Sequence, residues 1–228
     1  MLADPRAPLV AGRWFDGASA LLLLAALALV LATFDDYGIT WDEWPHIGYG
    51  DRVAAFWGTG FADRSALTFR TNYYYGGGYD YLGALFRWLA APLASWRAMH
   101  LLGGLVGVLG LAGAWQLARR LAGPFAGFAA ALLLATNPVY WGHMFNNPKD
   151  LPFAVAYVWA LHALIVAIAA LPRPTRAHWR NLALATGAAM SVRIAGVLLL
   201  CYLALALALY AASQGHQRRS LDAALAYL

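Results

Sequence analysis

Residues 18–34 run for seventeen positions without an ionisable side chain, and only Ser19 and Thr33 interrupt their apolar character. A run of that length crosses a bilayer with some tilt. Inside a bilayer every backbone N–H and C=O must be satisfied within the chain, and a continuous apolar run does this as a helix. Comparable runs follow at about 97–117, 124–140, 151–171 and 181–212. Charged residues make up 12% of the chain, against about 25% in a soluble domain, and 62% of residues are hydrophobic. The sequence therefore predicts an all-α integral membrane protein, a polytopic helical bundle of about six spans. Residues 1–228 read as a single transmembrane domain. No small-residue cleavage pattern follows the first run, so it reads as a retained span. A single cysteine, Cys201, forbids an intrachain disulfide.

The last run is too long for one crossing, since 32 residues make a helix of about 48 Å against a core of about 30 Å. Basic residues flank it on both sides: Arg173, Arg176 and Arg180 before, Arg218 and Arg219 after. The positive-inside rule asks both flanks to lie on one side, so two short helices are expected, breaking near Ser191-Val192-Arg193; one long tilted helix with a snorkelling Arg193 is the alternative. With Arg6, Arg13, Arg119 and Arg120 also on that side, the rule puts the N-terminus in the cytoplasm and the polar loops outside the cytoplasmic (inner) membrane. The net charge of +5 is spread over span ends, which argues against a nucleic-acid partner.

Seven of the 11 acidic residues fall in the first loop, about 35–96. Two juxtamembrane amphipathic helices are expected there, at about 45–57 and 79–93, both rich in aromatic residues. The run Gly76-Gly77-Gly78 between them marks a close backbone approach. The second outer loop is expected at about 141–150.

Two polar stretches stand out: Ile39-Thr40-Trp41-Asp42-Glu43-Trp44-Pro45-His46 and Asn146-Asn147-Pro148-Lys149-Asp150. Glu43 is the sole Glu of the chain and Lys149 its sole Lys. Both stretches are read as lining one site on one side of the membrane. Asp42 or Glu43 can serve as a general base, because a carboxylate near apolar surroundings holds a proton more readily. Equally, two acids ahead of Pro45 suit a helix start. His46 stands one helical turn after Asp42; the pair is a thin metal-ligand set, so no metal is expected and a divalent cation is the open alternative. Asp150 is placed to cap the fourth span. Lys149 suits a lipid-linked phosphate as a compact charge, or an interface anchor. Arg193, inside an apolar run, requires an anionic partner. The tyrosines around Tyr75 read mainly as interface belt, with a few able to stack on sugar rings.

The order of these features resembles the GT-C superfamily of polytopic glycosyltransferases. Within it, the chain resembles the branch of protein O-mannosyltransferases and of the lipid A aminoarabinose transferase. The motifs that carry the likeness are Asp42-Glu43 just after the first span and Asn147-Pro148-Lys149-Asp150 ahead of the fourth. The resemblance implies transfer of a sugar from a polyprenyl-phosphate donor to a lipid, glycan or protein acceptor outside the membrane, with inversion. It implies catalytic roles for Asp42, with Glu43 beside it, and for Asp150, and donor-phosphate contacts for Lys149 and Arg193. His46, Asn147 and Tyr75 are further candidates for substrate or donor-phosphate contact. No cofactor is implied, and membrane lipids are expected partners. The family usually has around a dozen spans, so the chain is expected to be the N-terminal part of a GT-C-like module, a fragment or truncated homologue. The alternatives are half of a transporter or flippase, or a non-catalytic membrane subunit.

Overall fold

The computed structural model describes residues 7–225, with side-chain surroundings for residues 12–214. Arg6, the side chains of Arg218 and Arg219, and the end of the segment 221–228 lie outside the described residues. The described chain is helical: α1 (Ala7–Thr33), α2 (Glu43–Gly58), α3 (Gly78–Leu89), α4 (Ser95–Ala135), α5 (Pro138–Asn146), α6 (Asp150–Ala169), α7 (Arg176–Val192) and α8 (Leu198–Leu225). Four of these, α1, α4, α6 and α8, are long and apolar enough to cross a membrane.

The first helix begins well before the apolar run that predicts it. Asp16 does not break it, because Arg119 donates to both its carboxylate oxygens at 2.6 and 2.7 Å. α1 then packs along α4 through Ala26 and Val30.

α4 is two legs joined by a reversal at Ala122-Gly123. Gly123 has φ +88°, a left-handed-side conformation that glycine adopts without a Cβ clash. The second leg folds back onto the first: Phe15 of α1 meets Phe125 and Phe128 at centroid distances of 5.1 and 5.9 Å. A Cβ on Gly127 would sit 2.8 Å from Trp115. This is the pair of spans expected on either side of Arg119-Arg120 and Pro124.

The third expected span, 124–140, is corrected. Its helix stops at Ala135, and a second helix, α5, starts at Pro138. Asn137 caps it, its Oδ1 accepting from the backbone N–H groups of Val139 (2.9 Å) and Tyr140 (3.2 Å). A residue before proline avoids helical backbone, and proline suits a first helical position. Most of the expected second loop, 141–150, is therefore helix. Only residues 147–149 remain as loop between α5 and α6.

α7 and α8 form the expected pair of helices, broken where expected, but α8, at 28 residues, is longer than the short helix expected. Arg193 is extended (φ −145°, ψ 140°), between the end of α7 and a short 3-10 turn at 194–197. Ala160 of α6 packs with Ala189 and Leu199, and Leu164 with Leu182 and Leu203. Further along α6, its α7 partners thus come earlier in the chain and its α8 partners later. The two helices run in opposite directions. Residues 34–94, the junction of α5 with α6, and the break at Arg193 all gather at one end of the bundle. The α4 reversal and the α6–α7 turn form the other, arginine-rich end.

Candidate active site

The loop 147–149 is shaped by Asn147. Its Oδ1 accepts from the backbone N–H of Asp150 (2.8 Å) and of Lys149 (3.3 Å). Its Nδ2 donates to an Asp150 carboxylate oxygen at 3.1 Å and to His143 Nδ1 at 3.0 Å. His143 Nδ1 is thereby an acceptor, and its proton belongs on Nε2. Asn147, not Asp150, thus supplies the cap at the head of α6, which corrects the expected role of the Asp150 side chain.

Freed from capping, Asp150 pairs with Arg193. Asp42 behaves in the same way. It occupies the N-cap position of α2, yet its side chain makes no capping hydrogen bond. It accepts from Lys149 Nζ at 2.7 Å instead. Tyr75 lies between the two pairs, its ring centroid 5.8 Å from Lys149 Nζ and 5.5 Å from the Arg193 guanidinium carbon. The loop that carries Tyr75 is tied to the end of α7 by the bond from Gly76 N–H to the Val192 carbonyl, 3.2 Å. A Cβ on Gly76 would overlap the Ser191 carbonyl, so the glycine run marks the close approach expected of it. The structure thus brings together Asp42, Asn147, Lys149, Asp150, Arg193 and Tyr75.

It does not bring Glu43 and His46 to that surface. Glu43 is 2% exposed. One of its oxygens meets His100 Nε2 at 2.9 Å; the other accepts from the Thr40 backbone N–H at 3.1 Å. Thr40 Oγ1 sits 2.9 Å from the same carboxylate and 3.1 Å from the Asn146 carbonyl, with one proton to serve either. The void beside Glu43 is about 10 Å³, room for no more than a water. His46 is also buried, and its Nδ1 lies 2.7 Å from Asp80 Oδ1. Its partner is thus Asp80, not Asp42. Burial holds the Asp80 carboxyl above its ordinary range, while the His46 hydrogen bond and charge pull it back. A buried ionisable group needs such a partner. Both residues brace the site from beneath.

Two crevices flank α5. One, about 520 Å³, is lined by Trp41, Asp42, His143, Asn146 and Asn147. The other, about 270 Å³ and mostly apolar, reaches Asp150 past Leu134, Tyr140 and Leu151. Trp41 is 90% exposed beside the first. His143 lines both. Sequence reasoning missed His143, His100 and Asp80, and gave Thr40 no role of its own within the first polar stretch. His143 stands one helical turn before Asn147, and the Asn137-Pro138 helix start would have revealed it. His100 is an ionisable residue in an apolar helix, the same signal that singled out Arg193. Among the described residues, no three His, Cys, Asp or Glu side chains are grouped to hold a metal ion.

Two carboxylates and two cations thus face each other around a tyrosine, with open space beside the carboxylates. Such a set can take a proton from a hydroxyl and bind an anion. A family model described as dolichyl-phosphate-mannose-protein mannosyltransferase matches residues 80–228, well over half of the chain. The matched part contains Lys149, Asp150 and Arg193 and begins after Asp42 and Tyr75. Comparison with curated proteins and with solved structures gives no match.

Proposed function

The chain belongs to the dolichyl-phosphate-mannose-protein mannosyltransferase family, and from that premise we propose that it moves a sugar from a polyprenyl-phosphate donor to an acceptor hydroxyl at the outer face of the cytoplasmic membrane. Family membership supports a glycosyltransferase of the mannosyltransferase type in a multi-pass membrane protein. The donor, the side of the membrane and the stereochemistry are our reading.

The observation that carries it is the 2.7 Å bond from Lys149 to Asp42, between two loops 107 residues apart. The acceptor hydroxyl gives its proton to Asp42 as its oxygen attacks the anomeric carbon. The bond from that carbon to the lipid-phosphate oxygen breaks, and the phosphate departs with the electron pair. A single displacement of this kind inverts the anomeric centre. Lys149 and Arg193 hold the departing charge, where preorganised cations act most strongly. Each cation is held by a carboxylate. A donor phosphate that draws Lys149 away therefore frees Asp42 to accept from the acceptor hydroxyl, which couples donor binding to acceptor activation. Asp150 and Asn147 hold the loop and Arg193 in place, and Trp41 offers a face for a sugar ring.

The test is turnover of a mannosyl polyprenyl phosphate by membranes that contain the full-length protein. Asp42→Asn should lower transfer about 10²- to 10⁴-fold. Unchanged turnover in that variant would remove Asp42 from the reaction.

A further inference from the structure

The arginine-rich turn 172–180 takes no part in the site at the opposite end. Beside it, α6 and α7 leave a crevice of about 360 Å³, lined by Trp159, His162, Val166, His178, Asn181 and Leu184 among others. We propose that this crevice binds an anionic glycerophospholipid of the leaflet that faces the arginine-rich end.

The polar groups at its mouth are arranged as donors. His178 Nδ1 accepts from the Thr175 backbone N–H at 3.0 Å in the cap of α7, so its proton lies on Nε2. Asn181 Oδ1 accepts from the Arg180 guanidinium at 3.3 Å, which leaves Nδ2 to donate and holds Arg180 at the rim. No carboxylate lines the crevice, and Asp16 at this end is engaged by Arg119. A donor-rich hollow with an arginine at its rim calls for an anion.

Its deeper part calls for a hydrocarbon chain. Trp159 donates its indole N–H to the Leu109 carbonyl at 3.0 Å and so turns a ring without a free donor toward the hollow. Leu184 is 67% exposed on the facing helix. His178 and Asn181 lie toward the turn, and Trp159 and Leu184 lie toward the middle of the bundle. The gradient from polar mouth to apolar depth matches a headgroup and an acyl chain entering from the side. An ionisable side chain such as His162, partway along a membrane helix, marks a binding site by default.

The test is native mass spectrometry of the purified chain titrated with dioctanoyl phosphatidylglycerol and dioctanoyl phosphatidylcholine. The anionic lipid should bind at least about fivefold more tightly, the factor expected per nearby basic residue. Arg180→Gln should remove about that factor. Arg64→Gln, which deletes an equal charge from an exposed loop at the other end, should not. His162→Leu should weaken the anionic lipid alone, and Arg180→Gln carries the test if that variant fails to fold. Equal retention of both lipids, or equal effects of the two arginine substitutions, would overturn the proposal. So would equal occupancy by inorganic phosphate, or a polyprenyl phosphate that binds in place of the glycerolipid.

Discussion

Lys149 Nζ lies 2.7 Å from an Asp42 carboxylate oxygen, and both side chains remain partly open to solvent. An exposed pair of this kind contributes about 0–1 kcal/mol to stability. Its position is therefore better explained by chemistry than by folding. Asp42→Asn should lower transfer about 10²- to 10⁴-fold, the range for a lost general base, with little change in the unfolding temperature. Lys149→Ala should raise the donor KM as well as lower kcat, because it removes a phosphate contact. Assays with labelled donor over a concentration series separate the two. A variant whose activity falls only in step with its unfolding temperature would reassign the pair to structure.

Glu43 should behave in the opposite way. It is buried against His100 and Thr40. Leaving a buried hydrogen-bonding group without its partner costs about 1–3 kcal/mol, and Glu43→Ala strands both His100 Nε2 and the Thr40 N–H. Glu43→Ala should accordingly unfold at a markedly lower temperature in detergent, while Glu43→Gln, which can still bond His100 and Thr40, loses less. If Glu43→Ala were as stable as the parent and inactive, Glu43 would belong to the reaction and the bracing role would fail.

The contrast between Asp42 and Glu43 marks how far the sequence could be read. The spans were legible because apolarity is a local property, and the α7–α8 break followed from the arginines on its two flanks. The convergence of the two polar stretches was legible because Glu43 and Lys149 are so rare in this chain. Which of two adjacent acids faces the crevice was not. Consecutive residues of a helix start point in different directions, and partners distant in sequence decide it: His100, 57 positions on, for Glu43, and Lys149, 107 positions on, for Asp42. The Asn137-Pro138 break was written in the chain but masked by apolar residues on either side. His46 was read by its spacing from Asp42, whereas its partner Asp80 comes from another helix.

The His46–Asp80 pair predicts a pH dependence. Burial raises the Asp80 carboxyl above its ordinary 3.8, with the His46 bond and charge opposing that rise. For an acid with a raised folded value, the native state binds the extra proton. The resulting stabilisation is complete below pH 3.8 and is lost as pH climbs through the folded value. Asp80→Asn has no titrating group there. Its unfolding temperature should lack the downward component that begins above pH 3.8 in the parent. Thermal scans across the acid range check this through the slope, not the absolute stability. Superimposable slopes would show that Asp80 is not protonated preferentially in the native state.

Gly76 offers a test that leaves every charge in place. Its backbone N–H donates to Val192 at 3.2 Å, and a Cβ at this position would overlap the Ser191 carbonyl. Gly76→Ala must push the loop off the end of α7. Tyr75 then moves away from Lys149 and Arg193, although none of the three has been altered. Gly38 also lies at this end, lines neither crevice, and a Cβ there would meet nothing within 4 Å, so Gly38→Ala serves as the control. Transfer should fall about tenfold to a hundredfold in Gly76→Ala, as misplacement of about 1 Å can do, and stay near parental in Gly38→Ala. Unfolding temperature should stay parental in the control and fall in Gly76→Ala, whose loop packs directly on the end of α7. Equal activity of the two variants would mean that Tyr75 and its loop are not part of the transferring site.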